Sequence, residues 1–148
     1  IRLKNSNMKN YDVEMWKYSK KLKQRSEIKI LDFVHKKNKK VKLQNVDINI
    51  NNFGLRGDDI SIQNLNVDRR IIFLGGSITL GWGINEEETL SSNIEKMLLK
   101  NGENVEVLNA GIGNYNAERY TKRFLKNLYV LKPTDIVVNY FISSAFIL

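Results

Sequence analysis

A parallel α/β fold is predicted for residues 67–148 by three observations. Ile71-Ile72-Phe73-Leu74, Val105–Leu108 and Asp135–Ile142 are short apolar segments of strand length. Two stretches between them carry apolar residues at helical spacing. Glycine-rich loops follow the first two apolar segments. The resulting order, strand–helix–strand–helix–strand, has helices long enough for right-handed crossovers, and that connection gives a parallel sheet.

The elements follow in chain order. Asp12 is placed to cap a helix running to about Lys23, with Met15, Trp16, Ser19 and Leu22 at helical spacing. The polar stretch Lys36–Lys40 reads as a loop. Val46, Ile48 and Ile50 alternate with Asp47 and Asn49, the pattern of a half-buried strand, and Asn51-Asn52-Phe53-Gly54 stops it with turn residues. Ile71–Leu74 is apolar at every position, which fits a strand covered on both faces. Thr89 caps the next helix, whose stripe is Leu90, Ile94, Met97 and Leu98, and Gly102 ends it. A helix from about Asn116 to Leu131 places Tyr120, Phe124, Leu128 and Leu131 on one face before Pro133. The chain thus divides into a basic lead-in, 1–66, with a helix and a strand, and an α/β region, 67–148.

With 148 residues, 42% apolar and 27% charged, the chain has the composition of one globular domain. No apolar run approaches the ~18 residues of a membrane span. The absence of cysteine excludes disulfides, thiolate metal sites and cysteine nucleophiles. The net charge of +8 is unevenly placed: residues 1–44 hold 14 basic and 4 acidic side chains, and 45–148 hold 10 and 12. Residues 1–44 are therefore the part suited to an anionic surface. No zinc spacing, recognition helix or aromatic–basic motif accompanies the lysines, so no nucleic acid is expected as partner.

Ligands of a parallel sheet bind beyond the carboxyl ends of its strands. Gly75–Thr79, Gly111–Asn116 and Ser143-Ser144 fall at that edge. Ser77, at a strand-to-helix turn, is placed to present its hydroxyl to the crevice, and the glycines leave backbone N–H groups free to face a ligand. A phosphate loop is excluded, because Trp82-Gly83 stands after Gly81 where lysine and a hydroxyl residue are required. Gly111-Ile112-Gly113 is only half of a dinucleotide fingerprint. Glu86, Glu87 and Glu88 are consecutive and point in different directions, so they read as partners of a helix N-terminus. His35 is the one histidine; it precedes the sheet without an orienting carboxylate and reads as a lead-in packing or surface residue. Trp16 and Trp82 read as packing residues, with Trp82 the better candidate for a substrate-pocket wall. Arg56 reads as a structural clamp ahead of an acidic-ligand contact.

Gly75-Gly76-Ser77-Ile78-Thr79 resembles the first block of the SGNH/GDSL hydrolase family, which usually reads Gly-Asp-Ser-hydrophobic-Thr. Asn109-Ala110-Gly111-Ile112-Gly113-Asn114-Tyr115-Asn116 resembles the second block, and Asp135–Ile142 the strand leading into the third. Asn51-Asn52-Phe53-Gly54-Leu55-Arg56-Gly57 is similar to the lead-in of many envelope-associated bacterial members. The resemblance covers about residues 46–142 and implies a flavodoxin-like three-layer α/β/α sandwich, present in part. It implies serine ester hydrolysis or acyl transfer on a small-molecule or glycan acyl ester, O-acetyl esters of envelope glycans included, without a cofactor. Ser77 would be the nucleophile, and its own N–H would be one oxyanion donor. Gly113 or Asn114 would supply the second. Ser143 stands where the third block usually has the oxyanion asparagine. Gly76 replaces the usual aspartate, and the family's Asp-x-x-His block does not occur before Leu148. The sheet is therefore expected to lack its C-terminal part. An incomplete sheet would expose edge and face area and favour self-association.

Overall fold

The computed structural model describes residues 11–62 and 66–140. The strands are β1 (Lys23–Arg25), β2 (Phe33–His35), β3 (Lys39–Leu43), β4 (Val46–Ile50), β5 (Arg69–Gly75), β6 (Val105–Asn109) and β7 (Asp135–Asn139). The α-helices are α1 (Tyr11–Leu22), α2 (Ser77–Leu80), α3 (Leu90–Lys100) and α4 (Ala117–Arg123). The chain is thus mixed α/β, and β6-β5-β7 form a parallel sheet with β5 in the centre.

Alternate residues of β5 point to opposite faces, and each face has its own cluster. Ile72 and Leu74 pack with Leu108, Tyr120, Phe124, Leu128 and Leu131. Ile71 and Phe73 pack with Val105 and with Ile94 and Leu98 of α3. The helix that begins with α4 keeps its expected apolar stripe but loses regularity: Phe124–Leu128 widens into a π turn and Tyr129–Leu131 tightens into a 3-10 turn. Thr89 caps α3 by accepting from the Ser92 N–H. On α3 the expected stripe is only half realised, since Ile94 and Leu98 pack inward while Leu90 and Met97 are exposed.

The lead-in contains more strand than its sequence suggests. β1 pairs with β2, setting Lys23 opposite His35, and β3 pairs with β4. Part of the expected Lys36–Lys40 loop is therefore strand. The β3–β4 turn, Gln44-Asn45, has φ of 51° and 63°, as a two-residue hairpin turn of the I′ kind requires. Arg56 bridges Ile50 on one side and Asn109 on the other, linking this hairpin to the β6 edge. Tyr18, Leu22, Leu43, Ile48 and Ile50 enclose Leu80 of α2, so the helix that starts at Ser77 is rooted in the lead-in. α1 begins at Tyr11, one residue before the expected cap. Trp16 is 60% exposed and carries Lys20 Nζ 4.7 Å from its ring centroid, so the expectation of a packing role is corrected. Among the described residues no helix is long and apolar enough to cross a membrane.

Candidate active site

Ser77 is the first residue of α2, directly after β5, and is half-buried with Ile78 exposed beside it. Two contacts hold its turn against the loop that follows β6. The Ile112 N–H donates to the Gly75 carbonyl at 3.1 Å, and a Cβ on Gly76 would lie 3.3 Å from the Tyr115 carbonyl oxygen. Gly111 packs so closely on α2 that a Cβ there would come within 2.2 Å of the Leu80 nitrogen. Glycine is required at 111 by this close approach. Among the described residues no hydrogen bond joins the Ser77 hydroxyl to another group.

The N–H groups from Ala110 to Tyr115 are almost all engaged. Ala110 donates to the Phe73 carbonyl, Gly111 to Asn109 Oδ1, Ile112 to Gly75 and Tyr115 to Ile112. The Gly113 N–H donates to the Tyr18 hydroxyl at 3.0 Å. Asn114 is the exception: among the described residues its N–H has no acceptor, and the residue is exposed with φ of 69°. The left-handed conformation is one that asparagine tolerates better than most residues. The two positions left open by sequence are thereby separated: Gly113 is tied inward and Asn114 faces out. Ser143 lies outside the described residues.

Beneath this loop is a buried polar layer built from the lead-in and α4. His35 is buried; its Nδ1–H donates to the Gly54 carbonyl at 3.2 Å, so Nε2 is the acceptor for the Tyr18 hydroxyl at 2.7 Å. Burial, reinforced by the nearby Arg123 cation, pushes its pKa down to about 3. The imidazole is neutral, fully engaged and remote from solvent, which makes it a packing residue and removes it as a base for Ser77. Burial raises the Tyr18 hydroxyl above the ordinary tyrosine range. Arg123, also buried, donates to the carbonyls of Ala110 at 2.9 Å and Gly54 at 2.8 Å, and desolvation lowers it to about 10. Lys23 Nζ donates to the Gly113 carbonyl at 2.9 Å and lies 3.8 Å from the Phe33 ring centroid. Its burial, with Arg119 adding repulsion and Asp32 opposing it, brings the ammonium down to about 8. The Tyr115 hydroxyl donates to the Phe33 carbonyl and closes the layer.

Arg56 is the structural clamp its position suggested. One guanidinium nitrogen donates to the Leu80 and Gly81 carbonyls, each at 2.7 Å, and the other to Ile84 at 2.8 Å. It fixes the exit of α2, where Gly81 takes φ of 76°. Trp82 packs edge-on to Tyr18 at 5.2 Å, within the lead-in cluster. Glu86–Glu88 form a 3-10 turn, and Glu88 accepts from the Asn85 N–H in a capping box. Among the described residues no cluster of side chains suits a metal ion.

No family model matches the chain, and no curated protein matches it. Among solved structures it is similar to the crystal structure of AlinE4, a SGNH-hydrolase family esterase, at 25% identity and a TM-score of 0.41. That likeness covers 47% of this chain and 38% of the esterase. A variant of the same esterase gives 24% identity and a TM-score of 0.36 over 38% of this chain and 30% of that one. The chain thus spans well under half the length of the esterase it is similar to.

Proposed function

We propose that this chain carries the nucleophile and oxyanion portion of an SGNH-like serine esterase or acyltransferase. The observation that carries the reading is that, among the described residues, the Asn114 N–H of the Ala110–Tyr115 loop has no acceptor, and that this loop packs on the turn that presents Ser77. In this reading the Ser77 hydroxyl attacks the carbonyl carbon of an acyl ester. The carbonyl oxygen takes the negative charge, and the N–H groups of Ser77 and Asn114 receive it. Preorganised donors of this kind are each worth about 3–4 kcal/mol of barrier. The alcohol leaves, and water or an acceptor hydroxyl releases the acyl group. An O-acetyl glycan is the substrate class proposed from the motif resemblance. Helices on both faces of the β5 sheet support a three-layer α/β/α arrangement of the flavodoxin-like kind.

A nucleophilic serine also needs a base, oriented within hydrogen-bond reach. The committed state of His35 favours a second reading, a silent SGNH-like binding domain that keeps the oxyanion pocket as a ligand site. Turnover of p-nitrophenyl acetate by the chain and by Ser77→Ala separates the two. The esterase reading expects loss of at least ~10³-fold on substitution, together with stoichiometric fluorophosphonate labelling at Ser77. Equal rates and no labelling leave the binding reading.

A further inference from the structure

We propose that Lys23 and Tyr18, both from the lead-in, are positioning residues that hold the Gly113–Asn114 peptide so that its N–H points into the site; this rests on the esterase reading above. The two residues grip Gly113 from below by its two backbone groups. Tyr18 Oη accepts from the Gly113 N–H, and Lys23 Nζ donates to the Gly113 carbonyl. That carbonyl belongs to the same planar unit as the Asn114 N–H. No peptide bond here is cis, so oxygen and hydrogen point in opposite directions across the unit. Fixing the oxygen on an interior cation therefore aims the hydrogen away from the interior, toward the exposed side where Asn114 lies.

The grip is itself anchored. The Tyr18 hydroxyl has its direction set by His35 Nε2, and His35 by the Gly54 carbonyl, which Arg123 also holds. Lys23 is confined between the Tyr18 and Phe33 rings, with centroids at 4.6 and 3.8 Å. A cation on a carbonyl oxygen polarises the peptide and strengthens its N–H as a donor, an effect that survives in a low-dielectric surrounding. Lys23 therefore acts on both the direction and the strength of the Asn114 N–H. Burial brings the lysine down to about 8, near the alkaline end of the working range, with Arg119 lowering it further and Asp32 raising it. Tyr18 and His35, which face it, titrate far above and far below that range.

The test uses the full chain as wild type, Tyr18→Phe and Lys23→Met, read in two ways. Amide hydrogen exchange by NMR is followed at Gly113, with Ile72 of β5 as the internal standard. Tyr18→Phe is expected to speed Gly113 exchange at least ~10-fold while Ile72 is unchanged, since only the acceptor of that N–H is removed. On p-nitrophenyl acetate, both variants are expected to lose roughly 10-fold in kcat with KM unchanged, a fraction of the 10²–10³ lost when a donor is removed outright. The wild-type kcat should fall as pH rises through about 8, and Lys23→Met should lack that step. Unchanged Gly113 exchange overturns the grip, whether or not the ester turns over. Wild-type kcat in both variants overturns the positioning role. If Ser77→Ala matches wild type, the esterase reading fails instead, and exchange still decides the grip. Should Tyr18→Phe unfold, Lys23→Met decides through the Asn114 amide resonance: a shift there supports the proposal, and an unmoved resonance overturns it.

Discussion

Ile72, at the centre of β5, has two cross-strand neighbours at one level, Leu108 on β6 and Ile136 on β7. Leu108 is 6% exposed and Ile136 49%. Hydrogen-bonded pairing is the same in kind on both sides, so pairing does not bury a strand; what lies over it does. On the β6 side the Arg56 segment closes the strand edge and α4 covers the face. On the β7 side Ile136, Val137 and Val138 are exposed although they alternate between faces. The Ser77 turn sits between a side locked by buried cations and a side left open. The 110–115 loop of the candidate site belongs to the locked side.

The sharpest way to break this asymmetry is to remove its clamp. Arg56→Met would leave two buried carbonyls, on Leu80 and Gly81, and the half-buried one on Ile84 without their donor. Each unsatisfied group costs about 1–3 kcal/mol, so a total loss of about 3–5 kcal/mol is expected in urea unfolding. A loss under about 1 kcal/mol would mean that the clamp is replaced by solvent. The second test takes the two neighbours of Ile72 as a pair. Leu108→Ala should cost about 2–4 kcal/mol through lost burial and a residual cavity. Ile136→Ala, half-exposed already, should cost about 1 kcal/mol. Equal costs would show that β7 is covered in solution.

Much of this contrast is absent from local sequence pattern. β4 and α3 are legible because their apolar residues repeat at the period of their element, and β5, β6 and the start of β7 because they are short apolar runs of strand length. The Ser77 turn and the 110–115 loop are legible because glycines at strand ends mark where backbones approach closely. The lead-in is not. β1 and β2 have three residues each, too few for any period, and β3 reads Lys-Lys-Val-Lys-Leu. The Gln44-Asn45 turn lacks the glycine that usually marks a tight hairpin, although Asn45 tolerates the positive φ. His35 looks like a surface residue among lysines because its partner Tyr18 is 17 positions away. Lys23 finds its acceptor 90 positions away. Asparagine tolerates the left-handed region, which suits φ of 69° at Asn114, but Asn116 in the same loop has φ of −95°, so residue type alone does not mark the turn.

The third test probes the locked side with protons. His35 is the only side chain here whose ordinary pKa lies near 6.5, and in the folded protein burial holds it at about 3. The unfolded chain therefore binds one more proton than the folded chain between those values. The sign follows: stability is complete above about pH 6.5 and is lost as pH falls toward 3. The slope is about 1.4 kcal/mol per pH unit, which makes the loss about 2 kcal/mol between pH 6.5 and 5. The carboxylates whose pKa is depressed, Glu14 and Asp135, lose their contribution only at lower pH. Glu86, raised by burial, acts with the opposite sign and equally in wild type and variant, so the difference between the two curves carries the His35 effect. Urea unfolding of wild type and His35→Gln across pH 7 to 5 isolates the effect. Wild type should lose stability over that span and the variant should stay nearly level. A wild-type curve as flat as the variant's would place a solvated, titrating imidazole where the structure has a dry one, and the asymmetry between the two sides of β5 would lose its foundation.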